Sequence, residues 1–404
     1  MLVGLGAFFR IVWLLAVAID PVSDGAMYRD FSNSMANGWG YAYPNGVPTA
    51  YWAVGASAFY SLIHVLFGAA PVSVAIANLL LGVGIIYFSF SIGDRYFGSS
   101  VGTVSGVLMA MWPVLIEFTT VYASELVFIF FLLAALNVWG AGRGVFWQRS
   151  VLWGGLLCIA TYVRPTALPL FFVLPAIDFL LKKNACSAIF SMIVAILTAA
   201  LLFAPWVVRN QQLFGSPVLV SVNFGTNLWM GNNPLSDGGY MELPDIPFAN
   251  EVERDKYFKN EAIQFIMANP LQYLKLAARR AAITYDRETI GVAWNEPALR
   301  KLVGDRGLMV IKAVSTVYWW VVLLLAACGV GLLLWRKKSN LLHPLVVVSG
   351  FFFIVPILTV GQDRYHMPLN PFLAMFAAVA LEAAWRCCVV RRVDGSERAE
   401  ADGA

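Results

Sequence analysis

Long apolar runs dominate the chain and recur at a length that suits membrane-spanning helices. A helix needs about 20 predominantly apolar residues to cross a bilayer. Ten runs meet or approach that length and are predicted as spans: 2–19, 72–92, 99–116, 121–139, 150–163, 166–181, 186–206, 309–335, 341–359 and 367–390. Another run, 50–67, carries several polar side chains and is expected either to span or to lie against the membrane. The pattern predicts an all-α polytopic membrane protein with about ten transmembrane helices.

The amino-acid composition narrows the class of protein further. The chain is 59% hydrophobic and 13% charged, whereas soluble proteins are roughly 45–50% apolar and about 25% charged. Its mean hydropathy is +0.70. These values exclude a soluble enzyme and a disordered chain, and a net charge of +4 is too small to predict a nucleic-acid partner. The five cysteines show neither metal-ligand spacing nor an extracellular disulfide pattern.

Basic residues in the short connections predict how the chain is oriented. Lys and Arg concentrate on the cytoplasmic side of membrane proteins. Alternate connections here are rich in them: Arg95; Arg143 and Arg149; Lys182 and Lys183; Arg336, Lys337 and Lys338; Arg386, Arg391 and Arg392. The segment 1–19 lacks the basic start and cleavage site of a signal peptide, so it is predicted to stay as the first span. Both termini are therefore expected in the cytoplasm.

Four regions follow from this topology. They are an N-terminal transmembrane module (1–206) that includes a first outer loop (20–71), an extracytoplasmic unit (207–308), C-terminal transmembrane helices (309–390) and a cytoplasmic tail (391–404). The tail after Arg392 is expected to be disordered. The extracytoplasmic unit is expected to contain two amphipathic helices, one over 248–268 and one after Pro270.

The first outer loop is predicted to contain a short interfacial helix. Four of its residues share one face at helical spacing, namely Asp24, Tyr28, Phe31 and Met35. Gly38 is a suitable stop for such a helix, and an amphipathic helix beside a span is expected to lie in the membrane interface.

Ionisable residues near the membrane mark the candidate site, because charges there are costly and are often functional. They cluster at the predicted outer ends of spans: Asp20, Asp24 and Asp30; Glu117 and Glu125; Arg164; Asp363, Arg364 and His366. A transporter more often places such groups near the bilayer midplane, on broken helices. The pattern favours an outward-facing site for substrates that are both membrane-bound and exposed to water. Arg10, midway along the first predicted span, has no predicted role.

Two interpretations stay open for most of these residues. A guanidinium can bind a phosphate through two parallel hydrogen bonds, but Arg164 and Arg364 can equally be ion-pair partners of Glu117, Glu125 or Asp363, or lie at helix C-termini. Asp24 can be a functional carboxylate or a helix N-cap, although no capping box supports the cap. Ser124 and Glu125 can simply start a helix, and Asp30 is expected to be solvated.

An ordered set of motifs resembles one superfamily along nearly the whole chain. They are Ser23-Asp24 with Tyr28, Gly38-Trp39-Gly40-Tyr41, Pro48-Thr49-Ala50-Tyr51-Trp52, Ser124-Glu125, Arg164-Pro165-Thr166, Ala204-Pro205-Trp206 with Arg209-Asn210, Asn227-Leu228-Trp229 with Gly231-Asn232-Asn233-Pro234, Asn269-Pro270 with Tyr273, and Arg364-Tyr365 with Pro368 and Pro371. The set resembles the GT-C membrane glycosyltransferases. More narrowly, it is similar to the bacterial relatives of protein O-mannosyltransferases and of the aminoarabinose transferase that modifies lipid A.

The resemblance implies a GT-C-like bundle in a bacterial inner membrane, a polyprenyl-phosphate-linked sugar as donor, and inverting transfer on the extracytoplasmic side. It assigns the catalytic base to Asp24, and substrate binding to Tyr28, Glu125, Arg164, Arg364, Tyr365 and His366. A base takes the proton of the acceptor hydroxyl, while positive charge stabilises the departing phosphate, so no general acid of the glycosidase kind is needed. Tyr28 or Ser23 is expected to donate a hydrogen bond to Asp24 and keep it ionised.

The partners are expected to be the bilayer, the lipid-linked donor and a lipid, glycan or protein acceptor. No cofactor or metal is expected, although Asp20, Asp24 and Glu125 offer oxygen ligands of the kind that divalent cations take. The first loop lacks the adjacent Asp-Glu pair of protein mannosyltransferases. The alternatives are a transporter or flippase for lipid-linked or anionic solutes, and an oligosaccharide polymerase or ligase.

Overall fold

The computed structural model describes residues 2–142, 145–337 and 341–401, without the side chains of Lys182 and 389–401. The elements of regular secondary structure in this part of the chain are helices. The helices are α1 Leu2–Ala16, α2 Asp24–Ala36, α3 Gly55–Phe67, α4 Pro71–Phe97, α5 Ser99–Met111, α6 Pro113–Glu117, α7 Ser124–Gly140, α8 Phe146–Val163, α9 Leu170–Lys182, α10 Ala185–Phe214, α11 Phe224–Gly231, α12 Glu251–Ala268, α13 Pro270–Tyr285, α14 Ile290–Trp294, α15 Glu296–Arg336, α16 Pro344–Leu358 and α17 Asn370–Ala401. Short 3₁₀ helices cover Phe118–Thr120, Pro165–Ala167 and Asp363–Leu369.

Several helices are long and apolar enough to cross a membrane, so the chain is a helical membrane protein. Within the described residues these are Pro71–Phe97, Ala185–Phe214, Glu296–Arg336 and Asp363–Cys388. The bent pair Ser99–Met111 and Pro113–Thr120 adds a fifth if it is one span. Shorter apolar helices, Leu2–Ala16, Gly55–Phe67, Ser124–Gly140, Pro165–Leu181 and Pro344–Leu358, occupy other predicted spans. The number of about ten spans stays a prediction.

The third predicted span, 99–116, is broken rather than continuous. Its two halves, α5 and α6, are bent by 57°. The cause is Pro113, which lacks a backbone N–H and excludes the residue before it from the helical conformation. Trp112 accordingly has an extended ψ of 114°. The bend places Glu117 inside the bundle, where it is 2% exposed.

Close helix packing forms the core of the bundle. The helix α4 packs against α5 and α7, and α15 packs against α17. At the second contact a Cβ on Gly329 would lie 1.9 Å from the carbonyl oxygen of Phe376, so only glycine permits this approach. Trp112, Trp153 and Trp319 are fully buried in the core. This packing holds the helix ends that carry the candidate site.

The predicted helix of the first long connection is confirmed. It is α2, which buries Tyr28 and Phe31 and ends just before Gly38, whose φ of 80° suits the residue after a helix. Phe31 then packs with Tyr41 and Trp206 in a second hydrophobic cluster. The cluster joins the first long connection to the end of α10.

The two predicted helices of the second long connection are also confirmed, as α12 and α13. Glu251, at the start of α12, attaches this connection to the first one. Its carboxylate accepts hydrogen bonds from the Thr49 hydroxyl at 2.7 Å, the Ala50 amide at 2.9 Å and the Tyr43 hydroxyl at 3.2 Å. The two long connections therefore form one layer over the bundle.

The tail differs from expectation, because α17 continues to Ala401. The segment after Arg392 contains Gly395, a poor helix former, but it continues with Glu397, Arg398, Ala399, Glu400 and Ala401, which favour a helix and extend the preceding one. Of the predictions for the tail, only 402–404 lie outside the described residues. Among the basic residues used for topology, Arg143 and Lys338 lie outside them, as do the side chains of Lys182, Arg391 and Arg392.

Candidate active site

Asp24 and Arg364, which are 340 positions apart in the sequence, form an ion pair. A terminal guanidinium nitrogen, Nη1, lies 2.7 Å from Oδ2 of Asp24, and the two side chains are 14% (Arg364) and 27% (Asp24) exposed. Asp24 is the first residue of α2. The cap position belongs to Ser23, which makes no side-chain capping bond, so the interpretation of Asp24 as an N-cap is wrong. Ser23 has a φ of 51°, a conformation that non-glycine residues rarely adopt.

The guanidinium of Arg364 is held on several sides. Its Nε donates to Oε1 of Gln362 at 2.8 Å. Its central carbon lies 5.1 Å from the ring centroid of Trp294 and 5.5 Å from that of Tyr365, which is within the range of a cation–π interaction. Among the described residues, Nη2 has no hydrogen-bond acceptor. One donor of a well-positioned guanidinium is thus left for a ligand.

A second acid–arginine pair, Glu125 and Arg164, lies beside the first. Nη2 of Arg164 bonds Oε1 of Glu125, and its Nε donates to the Ser124 hydroxyl at 3.0 Å. The carboxylate of Glu125 is fully buried. Arg164 follows the last residue of α8, so both structural interpretations of it, ion pair and helix end, are confirmed. Nη1 of Arg164 also lacks an acceptor within the described part of the chain.

Tyr365 and Tyr28 connect the two pairs. The guanidinium carbons of Arg164 and Arg364 lie 5.8 Å and 5.5 Å from the ring centroid of Tyr365. Burial raises the pKa of Tyr28 to about 12, and the nearby carboxylates of Glu125 and Asp24 contribute to the rise. The Tyr28 phenol therefore keeps its proton and remains a donor in this cluster.

The expected hydrogen bond from Tyr28 or Ser23 to Asp24 is absent from the described contacts, so that prediction is wrong. The guanidinium of Arg364 pairs with the Asp24 carboxylate instead, with 2.7 Å between Nη1 and Oδ2. Asp363, an expected partner of Arg364, instead accepts a hydrogen bond from the Thr289 hydroxyl at 3.1 Å.

His366, predicted to bind substrate, lies outside this cluster. It is fully buried, and its ring nitrogens lie 2.7 Å from the carbonyl oxygen of Thr284 and 3.2 Å from Oε1 of Glu288. Its ring stacks on Trp319 with centroids 3.9 Å apart. Neighbouring side chains of a 3₁₀ helix point about 120° apart, so Tyr365 faces the cluster while His366 faces the core.

The remaining charged candidates lie elsewhere. Asp30 pairs with its neighbour Arg29 at 2.9 Å, and Asp20 is exposed. Glu117 accepts a hydrogen bond from Ser315 at 2.7 Å inside the bundle. Arg10 is fully buried and donates to the carbonyl oxygens of residues 6 and 110. Within the described residues, no three acidic, histidine or cysteine side chains are grouped to hold a metal ion, and metal dependence stays untested.

Two residues of the site escaped the sequence analysis. Gln362 lies two positions before Arg364, a spacing that could have marked it as a partner. Trp294 ends α14, and no local pattern links it to the site. Its contact depends on the long-range approach of α14 to the turn at 363–369.

Comparison with known proteins gives the fold. No family model matches the sequence, and no curated protein sequence matches it. Two structures of the oligosaccharyltransferase of Archaeoglobus fulgidus are similar. The complex with Zn and sulfate has a TM-score of 0.59 at 14% identity, over 99% of this chain and 51% of that one. The complex of AglB with an inhibitory peptide and a dolichol-phosphate has a TM-score of 0.55 at 13% identity, over 98% and 52%.

A third structure, ArnT from Cupriavidus metallidurans bound to undecaprenyl phosphate, has a TM-score of 0.46 at 13% identity, over 94% of this chain and 77% of that one. The chain spans about half the length of the archaeal oligosaccharyltransferase chains that it matches. It shares the fold of these archaeal oligosaccharyltransferase structures.

Proposed function

We propose that the chain is an inverting glycosyltransferase that moves a sugar from a polyprenyl-phosphate-linked donor to an acceptor hydroxyl. The observation that carries the proposal is the ion pair between Asp24 and Arg364. It joins, in one partly exposed place, a carboxylate suited to take a proton and a cation suited to stabilise a departing phosphate.

The two arginines supply the binding site for the phosphate in this proposal. Arg164 and Arg364 lie on the same tyrosine, Tyr365, and each keeps one terminal nitrogen without an acceptor among the described residues. Two such donors match the oxygens of one phosphate monoester. Glu125 and Gln362 would hold the arginines in place, since each accepts a bond from one of them.

Asp24 acts as the general base. The acceptor oxygen forms a bond to the anomeric carbon while its proton passes to the carboxylate of Asp24. The bond between the anomeric carbon and the phosphate oxygen breaks, and the polyprenyl phosphate leaves as an anion with its electron pair. Because Arg364 is the partner of Asp24 in the free protein, a donor phosphate that draws Arg364 away would free the carboxylate to meet the acceptor hydroxyl.

The finer features of the proposal follow the sequence analysis. The site faces the extracytoplasmic side of a bacterial inner membrane, both termini are cytoplasmic, and about ten spans surround the site. The acceptor is a lipid, glycan or protein of the cell envelope. The layer formed by the first and second long connections is the surface available to it, because these connections supply Asp24 and Trp294, which both contact Arg364.

The test is a transfer assay with the purified chain reconstituted in lipid. Undecaprenyl-phosphate sugars, labelled in the sugar, would be offered together with an extract of cell-envelope lipids and glycans. We expect label to leave the polyprenyl carrier and appear on an acceptor with inverted anomeric configuration. Movement of intact labelled donor between leaflets without cleavage would contradict the proposal and support a flippase.

A further inference from the structure

Arg254, on α12, lies against an aromatic ring and forms no ion pair with an acid among the described residues. Its guanidinium carbon is 4.7 Å from the ring centroid of Tyr51. Its Nε is buried without a hydrogen-bond partner, and its terminal nitrogens have none among the described residues. A buried donor without a partner is costly unless a ligand or water completes it.

Glu253, directly before Arg254, makes no hydrogen bond or ion pair with it among the described residues. Two other acids of the same helix are already used. Glu251 accepts three hydrogen bonds from the first long connection. Asp255 accepts the backbone amides of Gly225 at 2.6 Å and Thr226 at 3.1 Å. Neither carboxylate bonds Arg254, so this cation is left available by the arrangement of its own helix.

Arg209 shows what a purely structural arginine looks like in the same layer. It also stacks on an aromatic ring, with 4.6 Å to the centroid of Trp206. However, its nitrogens donate to the carbonyl oxygens of Thr49 and Tyr41 and to the side chain of Asn210. Arg254 stacks on an aromatic ring in the same way, but its guanidinium has no hydrogen-bond acceptors among the described residues.

Tyr51 places Arg254 next to the proposed phosphate site. The Tyr51 hydroxyl lies 3.3 Å from that of Thr226 on α11, and the end of α11 contacts the segment that leads to Arg364, where Asn232 donates to the Thr359 carbonyl at 3.1 Å. Burial raises the pKa of Tyr51, and Tyr365 is among the neighbouring groups that add to the rise. The contacts of α11 therefore connect Tyr51 and Arg254 to the segment that leads to Arg364.

We propose that Arg254 and Tyr51 form a second anion subsite, which holds a carboxylate or phosphate carried by the acceptor or by the transferred sugar. This inference rests on the proposed function, because the subsite is defined by its place beside the donor phosphate. The leaving phosphate itself stays with Arg164 and Arg364. The substrate that completes the reaction thus carries a negative charge besides the one on the donor linkage.

The experiment measures binding to the full chain in lipid nanodiscs with two matched pairs of probes. One pair is undecaprenyl-phosphate glucuronate and undecaprenyl-phosphate glucose, which differ only in the charge of the sugar. The other is a glucosamine glycolipid with and without a phosphate. We expect the wild type to prefer the charged member of one pair by about 10-fold, the scale of a charge-assisted hydrogen bond.

Arg254→Ala should abolish that preference, Arg254→Lys should keep part of it, and Lys256→Ala should keep all of it. Lys256 is an exposed cation on the same helix, so it controls for the loss of a charge. The pair that shows the preference identifies whether the sugar or the acceptor carries the anion. No preference in either pair, or one that survives Arg254→Ala, would overturn the inference.

Binding of undecaprenyl phosphate alone separates this inference from the proposed function. Arg254→Ala should bind it as the wild type does, which also shows that the variant is folded, whereas Arg364→Ala should bind it more weakly. If Arg254→Ala does not fold, Arg254→Gln carries the same test. If the wild type does not bind undecaprenyl phosphate, the proposed function fails, whatever the subsite does.

Discussion

The two acid–arginine pairs of the site have the same chemistry but different surroundings. In the first, the carboxylate of Asp24 is 27% exposed. In the second, the carboxylate of Glu125 is fully buried, and Arg164 also bonds the neighbouring Ser124. A reacting hydroxyl can reach Asp24 but not Glu125. Exposure therefore separates a carboxylate that can accept a proton from one that positions an arginine.

The largest expected effect comes from Asp24→Asn, which removes the proposed base but keeps the shape of the side chain. We expect sugar transfer to fall by about 10²-fold to 10⁴-fold, the range for loss of general base catalysis. The measurement is the initial rate of transfer in the reconstituted assay. Asp30→Asn is the matched control, because Asp30 lies on the same helix and pairs with Arg29, and it should stay near wild type. Full activity of a folded Asp24→Asn would remove Asp24 from the mechanism.

Arg364→Ala should have the next largest effect. Loss of one group that stabilises developing negative charge costs about 10²-fold to 10³-fold in turnover, and the variant should also bind undecaprenyl phosphate more weakly. Arg364→Lys should recover only part of the activity, because lysine lacks the planar fork of donors. Arg29→Ala, which removes an exposed arginine, serves as the control. An unchanged affinity for undecaprenyl phosphate would show that Arg364 does not bind the donor.

Glu125→Gln should act through Arg164 and so have a smaller effect on transfer, about 10-fold, which corresponds to about 1.4 kcal/mol. The loss should appear mainly as a higher KM for the donor, with a lower melting temperature because a buried ion pair has lost one charge. A loss as large as that of Asp24→Asn, confined to kcat, would make Glu125 the base and reverse the comparison.

Trp294→Leu should have the smallest effect. It removes one aromatic contact of Arg364, worth about 0.5–1 kcal/mol at an exposed site and about 2 when desolvated. We expect the KM for the donor to rise several-fold, together with a lower melting temperature, because Trp294 is 8% exposed and stacks on Phe118. Trp39→Leu, at a 76% exposed tryptophan of the first long connection, controls for the general loss of an aromatic residue. Equal effects of the two substitutions would mean that the Trp294 contact does not position Arg364.

The sequence contained enough information to predict α2, the helices α12 and α13, and the ion pair of Arg164 with Glu125. It placed Asp24 and Arg364 at the same side of the membrane, but it named Glu117, Glu125 and Asp363, not Asp24, as partners of the arginines. These predictions came from helical spacing and from the energetic cost of charges near a membrane. The sequence did not predict which way the side chains of the 3₁₀ turn point. That direction puts Tyr365 in the cluster and His366 in the core. The sequence also gave no sign of Trp294, because that contact depends on tertiary packing rather than on any local pattern.

The most direct test of the account is the affinity of Asp24→Asn for undecaprenyl phosphate. If Arg364 exchanges Asp24 for the donor phosphate, the loss of its competitor should strengthen binding several-fold, on the scale of about 1 kcal/mol for a partly exposed ion pair, while transfer is lost. Arg364→Ala should weaken binding of the same lipid. Weaker or unchanged binding by a folded Asp24→Asn would contradict the claim that the base and the phosphate share one guanidinium.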